Sequence, residues 1–149
     1  MSGKQAKTLS ADHIDDLLFF ADCSRHPLRN RLIVLLSVKA GLRAAEIANI
    51  TWDMVVDPAG EIGTVLELHD RVAKKGSGRS IPLHSDLREV LIAMTQLQPG
   101  HGVMVRSERG GPMTPLSIVL WFSRAYKALG LSLCSAVWIA FWSRANRRY

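Results

Sequence analysis

Apolar positions recur at three- and four-residue spacing along most of the chain, which predicts amphipathic helices. Ile14, Leu17, Leu18 and Ala21 line one face of a first helix, with Ser10 as a fitting N-cap and Asp12, Asp15 and Asp16 early, where the helix dipole favours anions. It is expected to end near Cys23. Pro27 suits the first position of a second helix, in which Leu28, Leu32, Leu35 and Leu36 form the apolar stripe and which Gly41 closes. Residues 44–50 form a short third helix. After Trp52 the pattern changes: residues 57–60 read as a turn, 64–69 as a strand, and 71–74 and 79–83 as two arms around Gly76, Ser77 and Gly78. Ser85 then caps a helix with Leu87, Val90, Leu91, Met94 and Leu97 on one side, ended by Pro99 and Gly100. Residues 103–105 are a candidate short strand. Thr114 and Pro115 open a last helix, lined by Ile118, Trp121, Phe122 and Leu129 and closed by Gly130. The fold class is therefore α+β, mainly helical with one small antiparallel sheet.

Composition narrows the field. At 149 residues, 48% hydrophobic and 21% charged, the chain has the length and mix of one globular domain or part of one. Cys23 and Cys134 are its only cysteines, which excludes a disulfide scaffold and a multi-cysteine zinc ribbon and fits a reducing, cytoplasmic setting. No apolar secretory segment and no membrane-length apolar run is found. His13, His26, His69, His84 and His101 lack metal-ligand spacing, so no metal is expected. The formal charge of +6 lies in the last third, where residues 101–149 hold seven Lys and Arg against Glu108 alone. A second basic patch comprises Arg71, Lys74, Lys75 and Arg79. Such patches attract polyanions, double-stranded DNA among them, and equally serve as ordinary solvated surface.

Two segments combine position with chemistry. In AGLRAAEIANITWDM, Arg43 follows a helix-ending glycine, and Glu46 lies three residues on, within side-chain reach on a helical turn. A guanidinium held by a carboxylate offers a rigid fork to a phosphate; the plain alternative is a surface ion pair. In AKKGSGRSIPL, a hairpin tip carries Lys74 and Lys75 beside a flexible turn. It can deliver an ammonium into a groove or simply protect a sheet edge.

The succession AGLRAAEIANITWDMV, KKGSGRSIPLHSDL and RGGPMTPLSIVLWFSRAYKALGL resembles the first part of the catalytic domain of tyrosine recombinases, the phage integrase family, over residues 8–131. The resemblance implies that Arg43 is the first catalytic arginine, Glu46 its supporting carboxylate and Lys75 the catalytic lysine, with Lys74 and Arg79 as DNA-binding residues. It further implies a tyrosine hydroxyl attacking a scissile phosphodiester to give a 3′-phosphotyrosyl link and a free 5′-hydroxyl, without metal or nucleotide cofactor. Arginines would neutralise the phosphorane charge and the lysine would protonate the leaving 5′-oxygen. The implied partners are double-stranded DNA and, in an intact relative, other recombinase protomers.

The family pattern then stops. No His-x-x-Arg box follows the Gly-Gly-Pro-Met-Thr segment, no nucleophilic tyrosine is identifiable, and Tyr149 lacks the context for that role. Because the resemblance begins almost at residue 1, the family's separate N-terminal DNA-clamping domain is expected to be absent. Residues 132–149 form an atypical tail with Trp138, Phe141 and Trp142, three arginines and no acid. If residues 140–144 are encoded GCA TTC TGG TCG CGC, reading one nucleotide later gives His-Ser-Gly-Arg, so a frameshift before about Val137 is expected to have truncated an integrase gene. The chain then reads as a partial catalytic domain (1–131) followed by a frameshifted tail, and as catalytically inactive. A different class of function is a small helix-turn-helix regulator, with residues 44–50 entering a DNA groove through Ala45 and Asn49. A third is membrane-surface binding by the Trp/Arg-rich tail.

Overall fold

A computed structural model describes residues 10–73, 76–98 and 100–130. Among the described residues five helices, a 3-10 turn and a two-stranded sheet follow in the order α1 (Ala11–Asp22), α2 (Pro27–Val38), α3 (Ala44–Asn49), the 3-10 turn (Trp52–Met54), β1 (Val65–Leu68), β2 (Arg79–Pro82), α4 (Ser85–Thr95) and α5 (Pro115–Ala128). The α+β, mainly helical expectation holds.

Local chemistry explains most boundaries. Ser10 accepts the backbone N–H of His13, whose ring returns a bond to the Ser10 N–H, so α1 starts on a reciprocal cap. Pro27 and Pro115 occupy the first turns of α2 and α5, where a missing N–H costs nothing. Thr114 accepts the Ser117 N–H at the head of α5. The cap of α4 falls one residue earlier than expected: His84 rather than Ser85 accepts the Asp86 N–H, through its Nδ1.

The core departs from the sequence reading at α2. A stripe of leucines predicts a half-buried helix, yet Leu32, Ile33, Val34, Leu35 and Leu36 are all fully buried and Ser37 nearly so. The cause is placement, because α1, α3 and α4 all pack on α2 and surround it. At its head Asn30, 3% exposed, bonds Ser24 and receives Arg29 Nε, so this buried amide is satisfied. Trp52, Met54 and Ile50 are buried, and the 3-10 turn packs against β1. α5 closes the other side against α3, with Trp121, Phe122 and Tyr126 in a chain of ring contacts that also reaches Phe20 of α1.

The sheet is antiparallel, with Leu66 opposite Ile81 and Leu68 opposite Arg79. Two arms meeting at a Gly-Ser-Gly tip were expected, but the connection spans residues 69–78. Val72 and Ala73 turn back to donate to the His69 carbonyl, so 71–73 do not pair as a strand. Residues 103–105 contribute only an isolated bridge, Val103 to Thr51. Arg88 on α4 donates to the carbonyls of Ile62 and Gly63, holding the turn before β1. Among the described residues no helix is long and apolar enough to cross a membrane, and no cluster of His, Cys, Asp and Glu could hold a metal ion.

The turn at 106–112 is tied to the head of α2 by charge. Glu108 accepts from His26 Nε2 at 2.9 Å and lies 3.3 Å from Arg25. The bond from His26, then the field of Arg25, hold its carboxyl below the usual glutamate range. A depressed folded-state value contributes stability above the ordinary glutamate pKa and loses it as pH falls through the lowered one. Because Glu108 is solvent-exposed the effect is small. Thermal midpoints measured from pH 7 downward are expected to fall less steeply in Glu108→Gln; identical slopes would show that the pair is energetically silent.

Candidate phosphate-binding site

Arg43 is the N-cap of α3, in extended conformation (φ −80°, ψ 161°), directly after the turn at Gly41 (φ 72°) that ends the α2 segment. Its residue is 7% exposed, low for a guanidinium-bearing side chain. Glu46 Oε1 accepts the backbone N–H of Arg43 at 3.0 Å. An arginine side chain has no acceptor, so the carboxylate supplies the side-chain half of this cap alone.

The same carboxylate faces the hairpin. Arg79 Nη1 donates to Glu46 Oε2 at 3.1 Å and Arg79 Nη2 to Oε1 at 3.0 Å, a bidentate fork between residues 33 positions apart. The Glu46 side chain is 1% exposed and that of Arg79 21%. Glu46 thus contacts Arg43 through the Arg43 backbone N–H. Arg79, expected to touch DNA, has both terminal nitrogens on Glu46. Nothing in the local sequence signals that pairing, because it depends on the hairpin folding over α3.

The base of the hairpin tip is fixed. Asp70 Oδ1 accepts the Gly78 N–H at 2.8 Å, and a Cβ at Gly78 would come within 2.6 Å of the Leu68 carbonyl oxygen. Gly78 is therefore required by the close approach of the two arms. Lys74 and Lys75 lie outside the described residues, although their neighbours Ala73, buried at 6%, and Gly76 are placed. The tail of residues 132–149 and Tyr149 also lie outside them.

Beside the hairpin base, Arg71 Nη2 donates to Thr51 Oγ1 at 3.2 Å and sits 3.7 Å from Asp53. The hydroxyl of Thr51 donates to Asp53, and this bond is the main cause that holds the Asp53 carboxyl below its usual range. A phosphate approaching Arg71 therefore meets a cation already shared with a carboxylate.

The chain contains one His-x-x-Arg string, His26-Pro27-Leu28-Arg29. It precedes Arg43 in sequence and opens α2 at the end away from Arg43, so it has neither the order nor the location that the recombinase pattern requires. On the helix-turn-helix alternative, α3 has only six residues, of which Glu46, Ile47 and Ala48 are buried. Only Ala45 and Asn49 are exposed, and the Asn49 amide is engaged with the Ala45 carbonyl.

The family model for the phage integrase family matches residues 7–138. Among solved structures, XerA recombinase superposes with a TM-score of 0.68 at 18% identity, over 88% of this chain and 45% of that one. A lambda integrase dimer bound to a COC′ core site gives 0.65 at 27% identity, over 89% and 37%. The Tn1549 transposon integrase in complex with circular intermediate DNA gives 0.62 at 17% identity, over 87% and 48%. The chain thus spans less than half of each of these proteins. No curated protein sequence matches it. With the family model covering nearly the whole chain, and the Arg43 turn, the hairpin and α5 in the expected order, the chain belongs to the phage integrase family.

Proposed function

We propose that the chain is a partial tyrosine-recombinase catalytic domain that binds double-stranded DNA through one half of a phosphate site and does not itself break a strand. The observation that carries this reading is the bridge through Glu46, which joins the Arg43 backbone to the hairpin bearing Lys74 and Lys75. In this reading Arg43 and Lys75 hold the positions that, in an intact recombinase, neutralise charge on the scissile phosphate and protonate the leaving 5′-oxygen, and in this chain they act as phosphate contacts. Lys74 adds a phosphate contact, and Arg79 acts chiefly by holding the hairpin. No cofactor is required. The partners are duplex DNA and protomers of an intact recombinase, in site-specific recombination or integration.

Strand cleavage needs a hydroxyl nucleophile and further cations on the phosphorane; no His-x-x-Arg box follows Thr114, and Tyr149 lacks the flanking pattern of a nucleophile. A frameshifted tail from about Val137 accounts for that break, with residues 1–131 as the domain proper. Purified chain is therefore expected to retard duplex DNA in a salt-dependent way, yet to give no covalent product with a suicide substrate that traps phosphotyrosyl links. A covalent adduct abolished by Tyr149→Phe would overturn the inactive reading. Sequencing the gene through codons 130–149 and beyond tests the frameshift, which predicts His-Ser-Gly-Arg and a later tyrosine in a shifted frame.

A further inference from the structure

The last third of the chain carries the basic excess. Two of its arginines, Arg109 and Arg124, line a concavity of about 310 Å³ together with Arg29 from α2 and the hydroxyl residues Ser107 and Ser117. Three elements meet here: the first turn of α2, the 106–112 turn and one face of α5, with Trp121 at its wall.

The walls of this concavity are braced. Ser107 and Gly111 close the 106–112 turn through a 2.7 Å backbone bond, and Arg106 donates to the carbonyls of Gly110 and His101. Arg29 Nη1 donates to the Arg106 carbonyl and its Nε to Asn30, so its guanidinium has a set orientation. Burial pushes Arg29 below the usual arginine range, against the opposing field of Glu108.

Charge decides what this space takes. Among the described residues on the walls Glu108 is the only acid, and its carboxylate already faces Arg25 and His26. Arg109 and Arg124 make no hydrogen bond or ion pair among the described residues. Three guanidinium groups around two hydroxyls, with the one carboxylate neutralised from outside, form a site for a tetrahedral oxyanion.

We propose that this concavity is a second phosphate-binding site, which takes a backbone phosphodiester of duplex DNA and fixes the register of the chain on it. The proposal rests on the DNA-binding reading above. Arg29 lies in the first turn of α2 and Arg43 beyond its last, so roughly 15 Å of helix separates the two sites. Two phosphate anchors at opposite ends of one helix set position along a duplex in a way that one cannot.

The test uses the full chain and a labelled duplex of about 30 base pairs, with affinity followed by anisotropy across a salt series. The double variant Arg109→Ala/Arg124→Ala removes two exposed side chains and is expected to keep the wild-type circular dichroism. Its log-affinity against log-salt slope is expected to be shallower by about two. The Trp121 indole N–H resonance, assigned with Trp121→Phe, is expected to shift on adding duplex to wild type and not to the double variant. A wild-type slope in the folded double variant, with duplex still bound, overturns the second site and leaves the Arg43 reading standing. Absence of duplex binding by wild-type chain overturns both. Inorganic phosphate provides the second arm. If it moves the Trp121 resonance while the double variant's duplex slope stays unchanged, the concavity is a small-anion site and the DNA assignment fails.

Discussion

Glu46→Ala is expected to destabilise the chain by about 3 kcal/mol, at the low end of what removing one partner of a buried ion pair costs. The side chain is almost completely buried and serves two groups at once, the Arg43 backbone N–H and both terminal nitrogens of Arg79. Losing it leaves a buried donor without its acceptor, at about 1–3 kcal/mol, and strips Arg79 of its counter-charge. Arg79 retains some access to water, which keeps the total from rising further. Urea denaturation measures the loss. A double-mutant cycle with Arg79→Ala is expected to show a coupling of about 1–3 kcal/mol, since residues sharing one ion pair do not act additively. A cost below about 1 kcal/mol for Glu46→Ala, or a coupling near zero, would mean that the fork contributes little and that the hairpin is held by its apolar contacts.

The same residue shows where sequence reasoning reached and where it stopped. The i, i+3 relation of Arg43 and Glu46 was legible because a helical turn fixes it, and the carboxylate does return to its arginine, by way of the backbone. The caps at Ser10 and Thr114 and the prolines at 27 and 115 were legible for the same reason: each is a local rule acting within one turn. The Arg79–Glu46 fork was not, because it is created by the hairpin folding over α3 and no spacing announces a contact across 33 residues. The full burial of α2 was also hidden, since a Leu-rich stripe predicts one buried face and only the arrival of α1, α3 and α4 covers the rest. The concavity at Arg29, Arg109 and Arg124 joins residues from distant parts of the chain, so the sequence disclosed its charge and not its location. The arginine turn and the lysine hairpin stood out one by one, whereas the structure shows that a carboxylate couples them.

That coupling makes the geometry of the hairpin tip the second sensitive point, and Gly78→Ala is expected to cost about 2–3 kcal/mol, in the upper range for overpacking. The added Cβ would collide with Asp70 Oδ1 and lie 2.6 Å from the Leu68 carbonyl oxygen. The Asp70 carboxylate can swing away at the expense of its bond to the Gly78 N–H, but the carbonyl belongs to the strand opposite Arg79 and cannot move without opening the ladder. Opening it there draws Arg79 off Glu46. Gly76→Ala provides the contrast, because no atom lies within 4 Å of its added Cβ and the penalty is only that of a left-handed residue at φ +68°, about 1 kcal/mol. Urea midpoints of the two variants are therefore expected to rank Gly78→Ala well below Gly76→Ala. In the folded fraction, Gly78→Ala should also weaken duplex binding more than Gly76→Ala, since only the former displaces the fork that links the hairpin to Arg43. Equal destabilisation by the two substitutions would show that the tip yields freely, and that Arg79 keeps its place on Glu46 without the close approach at Gly78.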